Sequence, residues 1–205
     1  DVTTHLVDLI QWECFPEVAL DWRKDIEMLS ARRWPTVLTP EQFQKVTRKE
    51  PWPDYLRKDV RDGKLHVYSN GEMVYRVRGI VAKVSVIWNF EAPPGAGDTH
   101  YSIMRGTRAN LVICQGAEQN WKPTLYIEPV DGVSASDLEA ALKLALPQIQ
   151  AKYPGVELKR VAAGWEVVVP DSYKVGHEAH FAQVAEKYFR FLREGRMPAW
   201  EVPNM

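Results

Sequence analysis

The sequence predicts an α+β domain with a mostly antiparallel open sheet and helices covering one face of it. Several segments alternate apolar and polar residues and are joined by short glycine-containing turns, which is typical of β-hairpins. Segments with helical spacing stand apart from these strands. The strand–helix alternation of a doubly wound nucleotide-binding fold is missing, and no G-x-G-x-x-G motif follows a strand.

Three long helices are expected, over residues 3–14, 136–150 and 177–193. Pro16 stops the first, Ser136 caps the second, and Gly195 ends the third. Pro147 predicts that the second helix kinks or ends early. A shorter helix should begin at Thr39, which opens a capping-box pattern.

The strands are expected in hairpins. An Asn70-Gly71 turn predicts a hairpin over residues 64–78, with Gly79 as a kink before a long strand over 80–91. A second hairpin is expected over residues 99–115 around Gly106-Thr107, followed by a strand over 124–128. A last pair of strands should cover residues 156–161 and 165–169.

Composition narrows the function classes. The chain has 205 residues, of which 45% are hydrophobic, and its net charge of -1 with no basic end argues against a non-specific nucleic-acid surface. No apolar stretch approaches the roughly 18 residues that span a bilayer. Residue 1 shows no signal-peptide pattern, so a cytoplasmic location is expected; a periplasmic one stays open because a signal would lie upstream. Cys14 and Cys114 are expected to be buried free thiols.

The first candidate site is Asp1-x-x-x-His5. Residues four apart share a helix face, and a carboxylate there can hold an imidazole in one tautomer. Asp8 and Trp12 continue nearly the same stripe. The spacing alone leaves open a capping aspartate beside an ordinary helix histidine, and no third ligand supports a metal site.

The second candidate lies at the mouth of a strand. Asp98-Thr99-His100-Tyr101-Ser102 follows a Pro/Gly loop, and its His, Tyr and Ser side chains could bind the hydroxyls of a polyol. Arg105 could pair with a substrate carboxylate. The alternative is an ordinary strand with polar residues facing outward and a solvated hairpin arginine.

Together these motifs resemble a known family. Asp1, His5, Asp8 and Trp12 at their spacing are similar to the helix that opens the second domain of Gfo/Idh/MocA oxidoreductases. Residues 103–111 resemble that family's strand–Gly-Thr–strand hairpin, and residues 97–102, 115–116 and 125–129 are similar to a bacterial subgroup of oxidoreductase C-terminal domains. The resemblance covers essentially the whole chain.

The resemblance implies that residues 1–205 form a single C-terminal domain for substrate binding and oligomerisation. An N-terminal Rossmann domain, missing from this chain, would bind NAD or NADP, and no cofactor or metal is expected here. His5 would be the general acid/base for a sugar or polyol hydroxyl, and Asp1 would orient it. Substrate contacts are expected at Asp8, Trp12, His100, Tyr101 and Arg105.

Partners follow from the same resemblance: a sugar or polyol substrate, the chain's own Rossmann domain, and further copies joined through the sheet face. The family's catalytic lysine belongs to the first domain, and Lys122-Pro123 does not replace it. Two alternatives remain open. One is a non-catalytic module for oligomerisation or carbohydrate binding, and the other is a relative of NAD-dependent glycosidases.

Overall fold

The computed structural model describes residues 2–204 and confirms the α+β class. Its strands form two antiparallel sheets, and the chain divides into two compact units. The first unit comprises the residues up to Glu91 together with those from Tyr188 onward, and the second comprises Ala92–Lys187.

The first unit is built around a four-stranded sheet. Its elements are α1 (Val2–Cys14), α2 (Trp22–Asp25), β1 (Ile26–Leu38), α3 (Pro40–Thr47), a 3-10 helix (Asp54–Asp59), β2 (Val60–Arg61), β3 (Lys64–Val77) and β4 (Ile80–Val86). The long strand β3 is central, with β1 along one side and β2 and β4 along the other.

Two apolar clusters hold this unit together, one at each end of β3. At the C-terminal end of β3, Tyr75 and Val77 are almost fully buried with β4 residues under the apolar side of α1. At the N-terminal end of β3, Leu65 packs with Leu38 and with Phe43 of α3. Because a side chain of this size stabilises by about 1.5–3 kcal/mol when fully buried, each cluster fixes its end of the sheet.

The predicted Asn70-Gly71 turn is wrong. β3 runs through both residues without a break, and the chain instead reverses at Arg78 and Gly79, whose φ angles are +44° and +89°. A two-residue hairpin turn of type I′ requires positive φ angles at both of its central residues. Gly71 pairs with β1 on one side and β4 on the other, so it lies mid-strand.

The capping box of α3 is confirmed. The Thr39 hydroxyl accepts the backbone N–H of Gln42 at 3.3 Å, and the Gln42 side chain accepts that of Thr39 at 2.9 Å. Arg48 then ends the helix in the left-handed conformation.

The second unit is built on a five-stranded antiparallel sheet in the order β5-β6-β7-β9-β8. Its elements are β5 (His100–Arg105), β6 (Ala109–Gln115), β7 (Thr124–Pro129), α4 (Ala135–Lys152), β8 (Glu157–Val161) and β9 (Gly164–Val168). Leu138 of α4 is buried against Ile127 and Trp165, so this helix covers one face of the sheet.

For α4, the expected cap and the expected early end at Pro147 are both wrong. Ser134, not Ser136, caps the helix, and its hydroxyl accepts the backbone N–H of Asp137 at 3.1 Å. Pro147 lies inside the helix, which continues to Lys152, because a proline removes one backbone hydrogen bond while the bonds before and after it can remain.

The last long helix, α5 (His177–Glu194), has no buried residue. Phe181, Val184, Tyr188 and Leu192 recur at helical spacing and are exposed, as is Phe189, while Phe191 is half-buried. Gly195, with φ +65°, ends the helix as expected. Among the described residues no helix is both long enough and apolar enough to cross a bilayer.

Candidate functional site

Three of the predicted site residues form one stripe on α1. His5, Asp8 and Trp12 lie within roughly 60° of one another around the helix, given 3.6 residues per turn. All three are exposed, and Trp12 keeps 71% of its surface accessible. We call these three residues the α1 stripe. An imidazole, a carboxylate and an indole therefore point in nearly one direction.

The opposite side of α1 explains why the stripe faces outward. Leu6, Val7 and Ile10 pack against the buried core of Tyr75 and Val77. These apolar residues lie about half a turn away from His5 around the helix. Burial of the apolar side thus fixes the rotation of the helix and leaves the α1 stripe open.

The proposed partner of His5 cannot be placed. Asp1 lies outside the described residues, so the Asp1–His5 pair stays a prediction.

The second group of predicted residues, on β5, is divided between the two faces of its sheet. β5 pairs with β6 in continuous register, so side chains alternate without a bulge. His100 pairs with Gln115, which lies on the same face of β6 as Leu111, the partner of Ile127. Because α4 packs against Ile127, His100 lies on the face that α4 covers. Tyr101 and Arg105 lie on the other face, and Tyr101 is 65% exposed. A ligand lying on one face can therefore contact Tyr101 and Arg105 together, but not His100 with them.

The loop after β5 depends on Gly106. A Cβ atom at this position would lie 2.5 Å from the carbonyl oxygen of Ala109, to which the Gly106 N–H donates a hydrogen bond of 3.1 Å. This close approach closes the hairpin and sets the position of Arg105 at the end of its strand.

Neither cysteine lies in an environment that makes its thiol reactive. Both thiols are free and half-buried. Burial raises the pKa of the Cys14 thiol, with a smaller contribution from the charge of Glu13. Burial likewise raises the pKa of the Cys114 thiol, helped by Glu128 and Glu118. Since the thiolate is the reactive form, these shifts keep both residues in the unreactive state.

One concave feature was missed at the sequence level. An open cleft of about 540 Å³ lies where the 3-10 helix and β2 meet β1 and β3. We call it the basic cleft. Its polar lining residues are Arg33, Lys58, Asp59, Arg61, His66 and Tyr68. Leu56, Leu65 and Val67 also line it.

The sequence gives little signal for the basic cleft. Arg33 comes 25 to 35 residues before the other polar residues of the cleft and reaches them only through the pairing of β1 with β3. His66 alone suggests an exposed cross-strand residue, yet it is half-buried. Finding this site requires the register of the sheet, which the misplaced Asn70-Gly71 turn obscured.

Comparison with known proteins agrees with the fold. A family model described as "Putative oxidoreductase C terminal domain" matches residues 1–205. The crystal structure of a putative oxidoreductase from Parabacteroides merdae ATCC 43184 is 53% identical, with a TM-score of 0.93. The match covers 100% of this chain and 47% of that one, so the chain spans about half the length of that protein. No curated protein matches the chain.

Proposed function

Because the chain belongs to the family of putative oxidoreductase C-terminal domains, we propose that it is the substrate-side half of an NAD(P)-dependent oxidoreductase of the Gfo/Idh/MocA type. Its substrate would be a sugar or polyol, oxidised at a hydroxyl or reduced at the corresponding carbonyl. The α1 stripe is the observation that supports this proposal best. It presents a proton-transfer group, a hydrogen-bond acceptor and an aromatic surface on one side of a firmly seated helix.

His5 moves the proton in this proposal. In the oxidising direction its imidazole takes the proton of the substrate hydroxyl, and the hydrogen on the same carbon leaves with the bonding electron pair as hydride, for which the nicotinamide would be the acceptor, so that the carbonyl forms. Asp8, one turn away, accepts hydrogen bonds from neighbouring hydroxyls, and the exposed Trp12 ring covers the apolar side of the carbohydrate. In the reducing direction His5 returns the proton to the new alkoxide oxygen.

The hydride acceptor does not fit this chain. A dinucleotide fold needs a parallel strand–helix–strand unit with a glycine-rich turn. Every strand pairing among residues 2–204 is antiparallel. We therefore assign NAD or NADP to an N-terminal Rossmann domain in the intact protein. The family description, a C-terminal domain, and the double length of the similar protein support this assignment.

The exposed row on α5 supports the same arrangement. In the first unit, Tyr188, Phe189 and Leu192 leave an apolar strip open at the C-terminal end of this helix, and such strips in soluble proteins mark contacts. We propose that the preceding domain of the same chain covers this strip. Hydrogen exchange at α5 should be slower in the intact protein than in residues 1–205 alone, and equal rates would contradict the contact.

The alternative, a module that assembles copies through an apolar sheet face, has less support. Two clusters of ion pairs occupy the face of the first sheet that points away from α1. Arg76 pairs with Glu27, and Glu72 pairs with Arg32 at 3.2 Å and with Lys83 at 3.0 Å. These charges pair within the chain, so the part of this face around Glu72 and Arg76 is polar and does not favour an apolar contact between copies.

The decisive experiment replaces His5 by Ala in the intact protein. We expect the variant to bind NAD(P) normally and to lose turnover by about 10²–10⁴-fold, the usual contribution of a general acid/base. Steady-state kinetics on a panel of sugars and polyols, with a fluorescence titration of the cofactor, would measure both quantities.

His180→Ala is the matched control, because His180 is an exposed helix histidine outside the proposed site. It should turn over at the parent rate. Full activity in His5→Ala would remove His5 from the mechanism. An intact protein that binds no nicotinamide cofactor would overturn the oxidoreductase proposal itself.

A further inference from the structure

We propose that the basic cleft binds a small organic anion, a hydroxylated molecule of roughly monosaccharide size that carries a phosphate, sulfate or carboxylate group. The cleft lies on the first unit, at the N-terminal end of β3. It is separate from the α1 stripe. The α1 helix packs over Tyr75 and Val77, eight or more residues further along the strand than Val67, or roughly 25 Å.

Charge is the first argument. Arg33, Lys58 and Arg61 bring three positive charges to the cleft, and Asp59 brings one negative charge. Among residues 2–204 none of these three cations has a carboxylate within 4.0 Å. Like charges gathered without partners repel one another, so an anion placed among them is attracted by all three.

Positioning is the second argument. Arg33 does not extend freely into solvent, because its guanidinium lies over the Tyr68 ring at 5.0 Å from the centroid. This stacking restricts the long side chain and leaves its planar edge available to an oxyanion. The β1–β3 pairing and the two-residue strand β2 fix the backbones that carry Arg33 and Arg61.

The remaining lining indicates what the anion is attached to. Leu56, Leu65 and Val67 add apolar contact, while Asp59 and the hydroxyl of Tyr68 can exchange hydrogen bonds with hydroxyl groups. The volume of about 540 Å³ lies within the range of small-molecule sites. A nucleic acid fits less well, because the chain has a net charge of -1 and shows no extended basic stripe.

The test is calorimetric titration of the intact protein with inorganic phosphate and glucose 6-phosphate, and with glucose as the neutral reference. We expect glucose 6-phosphate to bind, phosphate to bind more weakly, and glucose not to bind at this site. Raising the salt from about 0.02 M to about 0.2 M should weaken the binding severalfold, because the cations are exposed to screening.

The variant Arg33→Gln/Arg61→Gln should lower the affinity for glucose 6-phosphate by about tenfold or more, since both charged hydrogen-bond donors are lost. Arg23→Gln is the matched control, because Arg23 is also an exposed arginine that lies over an aromatic ring, Trp22, at 4.7 Å. It should bind like the parent. Thermal unfolding of all variants checks that each is folded. If the double variant Arg33→Gln/Arg61→Gln does not fold, Lys58→Gln is used for the same binding measurement.

Three results would overturn the proposal: no binding of either anion at low salt, binding of glucose 6-phosphate that salt does not weaken, or equal losses in the cleft and control variants. None of these depends on turnover. Failure of the cleft is therefore distinguishable from failure of the oxidoreductase assignment, which is measured by His5→Ala and cofactor binding.

Discussion

The side chain of Asn70 accepts the backbone N–H of Trp88 at 2.7 Å. The same amide donates to the Thr36 hydroxyl at 2.9 Å, and that hydroxyl donates in turn to the carbonyl of Trp88. Asn70 is only 4% exposed. One buried amide thus ties the segment that follows β4 to both β3 and β1.

We expect Asn70→Ala to lower the free energy of unfolding by about 1–3 kcal/mol, because the N–H of Trp88 would lose its acceptor and the hydroxyl of Thr36 its donor in a partly buried place. Urea denaturation would measure the loss. Asn89→Ala, at an exposed asparagine just beyond Trp88, is the control and should change stability little. Equal effects of the two variants would contradict the structural role of Asn70.

Asn70 also shows why local sequence patterns misplaced one hairpin. Asn-Gly is the strongest short signal for a tight turn, but it says nothing about what the asparagine side chain can reach across a sheet. Here Thr36 and the backbone of Trp88, both distant in sequence, provide its partners. The elements whose signals are local, such as the Thr39 capping box and the hairpin around Gly106, were predicted correctly.

A second prediction concerns the ion pair at the observed turn. Arg78 binds the carboxylate of Asp25 with two hydrogen bonds, of 2.9 and 3.1 Å. The hydrogen bonds from Arg78 hold the pKa of Asp25 below its ordinary value, with a further contribution from the backbone of Asp21. A carboxylate with a lowered pKa adds stability at neutral pH, and that contribution is lost as the pH falls through its folded-state pKa.

We therefore expect the parent protein to lose stability below about pH 4, and Arg78→Gln to lose less between pH 7 and pH 3 than the parent does. Unfolding curves at several pH values would measure this difference. Arg57→Gln is the control, since Arg57 pairs with the highly exposed Asp54 of the same 3-10 helix. If Arg78→Gln kept the full pH dependence of the parent, Asp25 would not contribute to it.

A third prediction concerns Gly164 at the start of β9. A Cβ atom there would lie 2.1 Å from the carbonyl oxygen of Ile127, a backbone atom in the neighbouring strand that cannot move aside alone. Gly164→Ala should destabilise the protein by at least about 2 kcal/mol. Gly116→Ala is the control, because its Cβ would meet only the end of the Gln119 side chain at 3.6 Å. Similar unfolding midpoints for both variants would contradict the close packing of β7 and β9.

Local sequence patterns predict one of the candidate sites, whereas the others depend on strand geometry and on pairing between distant strands. Helical periodicity alone places His5, Asp8 and Trp12 on one stripe, and the structure keeps them there and exposed. On β5, closeness in sequence does not place residues in one site, because strand alternation puts His100 and Tyr101 on opposite faces of the sheet. The basic cleft depends on pairing between strands about thirty residues apart, which no local pattern encodes.

The last prediction tests the role of Trp12 in the proposed substrate site. The indole is 71% exposed, so it contributes little to folding, and Trp12→Ala should leave the unfolding midpoint of the intact protein nearly unchanged. If the ring covers the substrate, the variant should raise KM by about tenfold with a smaller change in kcat, because the lost contact is present in both the bound ground state and the transition state.

Tyr55→Ala provides the matched control for Trp12→Ala, since Tyr55 is an aromatic residue of the same unit with 73% of its surface exposed. Its KM should equal that of the parent. Double substitution of His5 and Trp12 separates the roles further: the His5 loss should appear in kcat and the Trp12 loss in KM, adding in free energy if the two residues act independently. An unchanged KM in Trp12→Ala would remove the indole from the substrate site while leaving the proton-transfer role of His5 to be judged by its own variant.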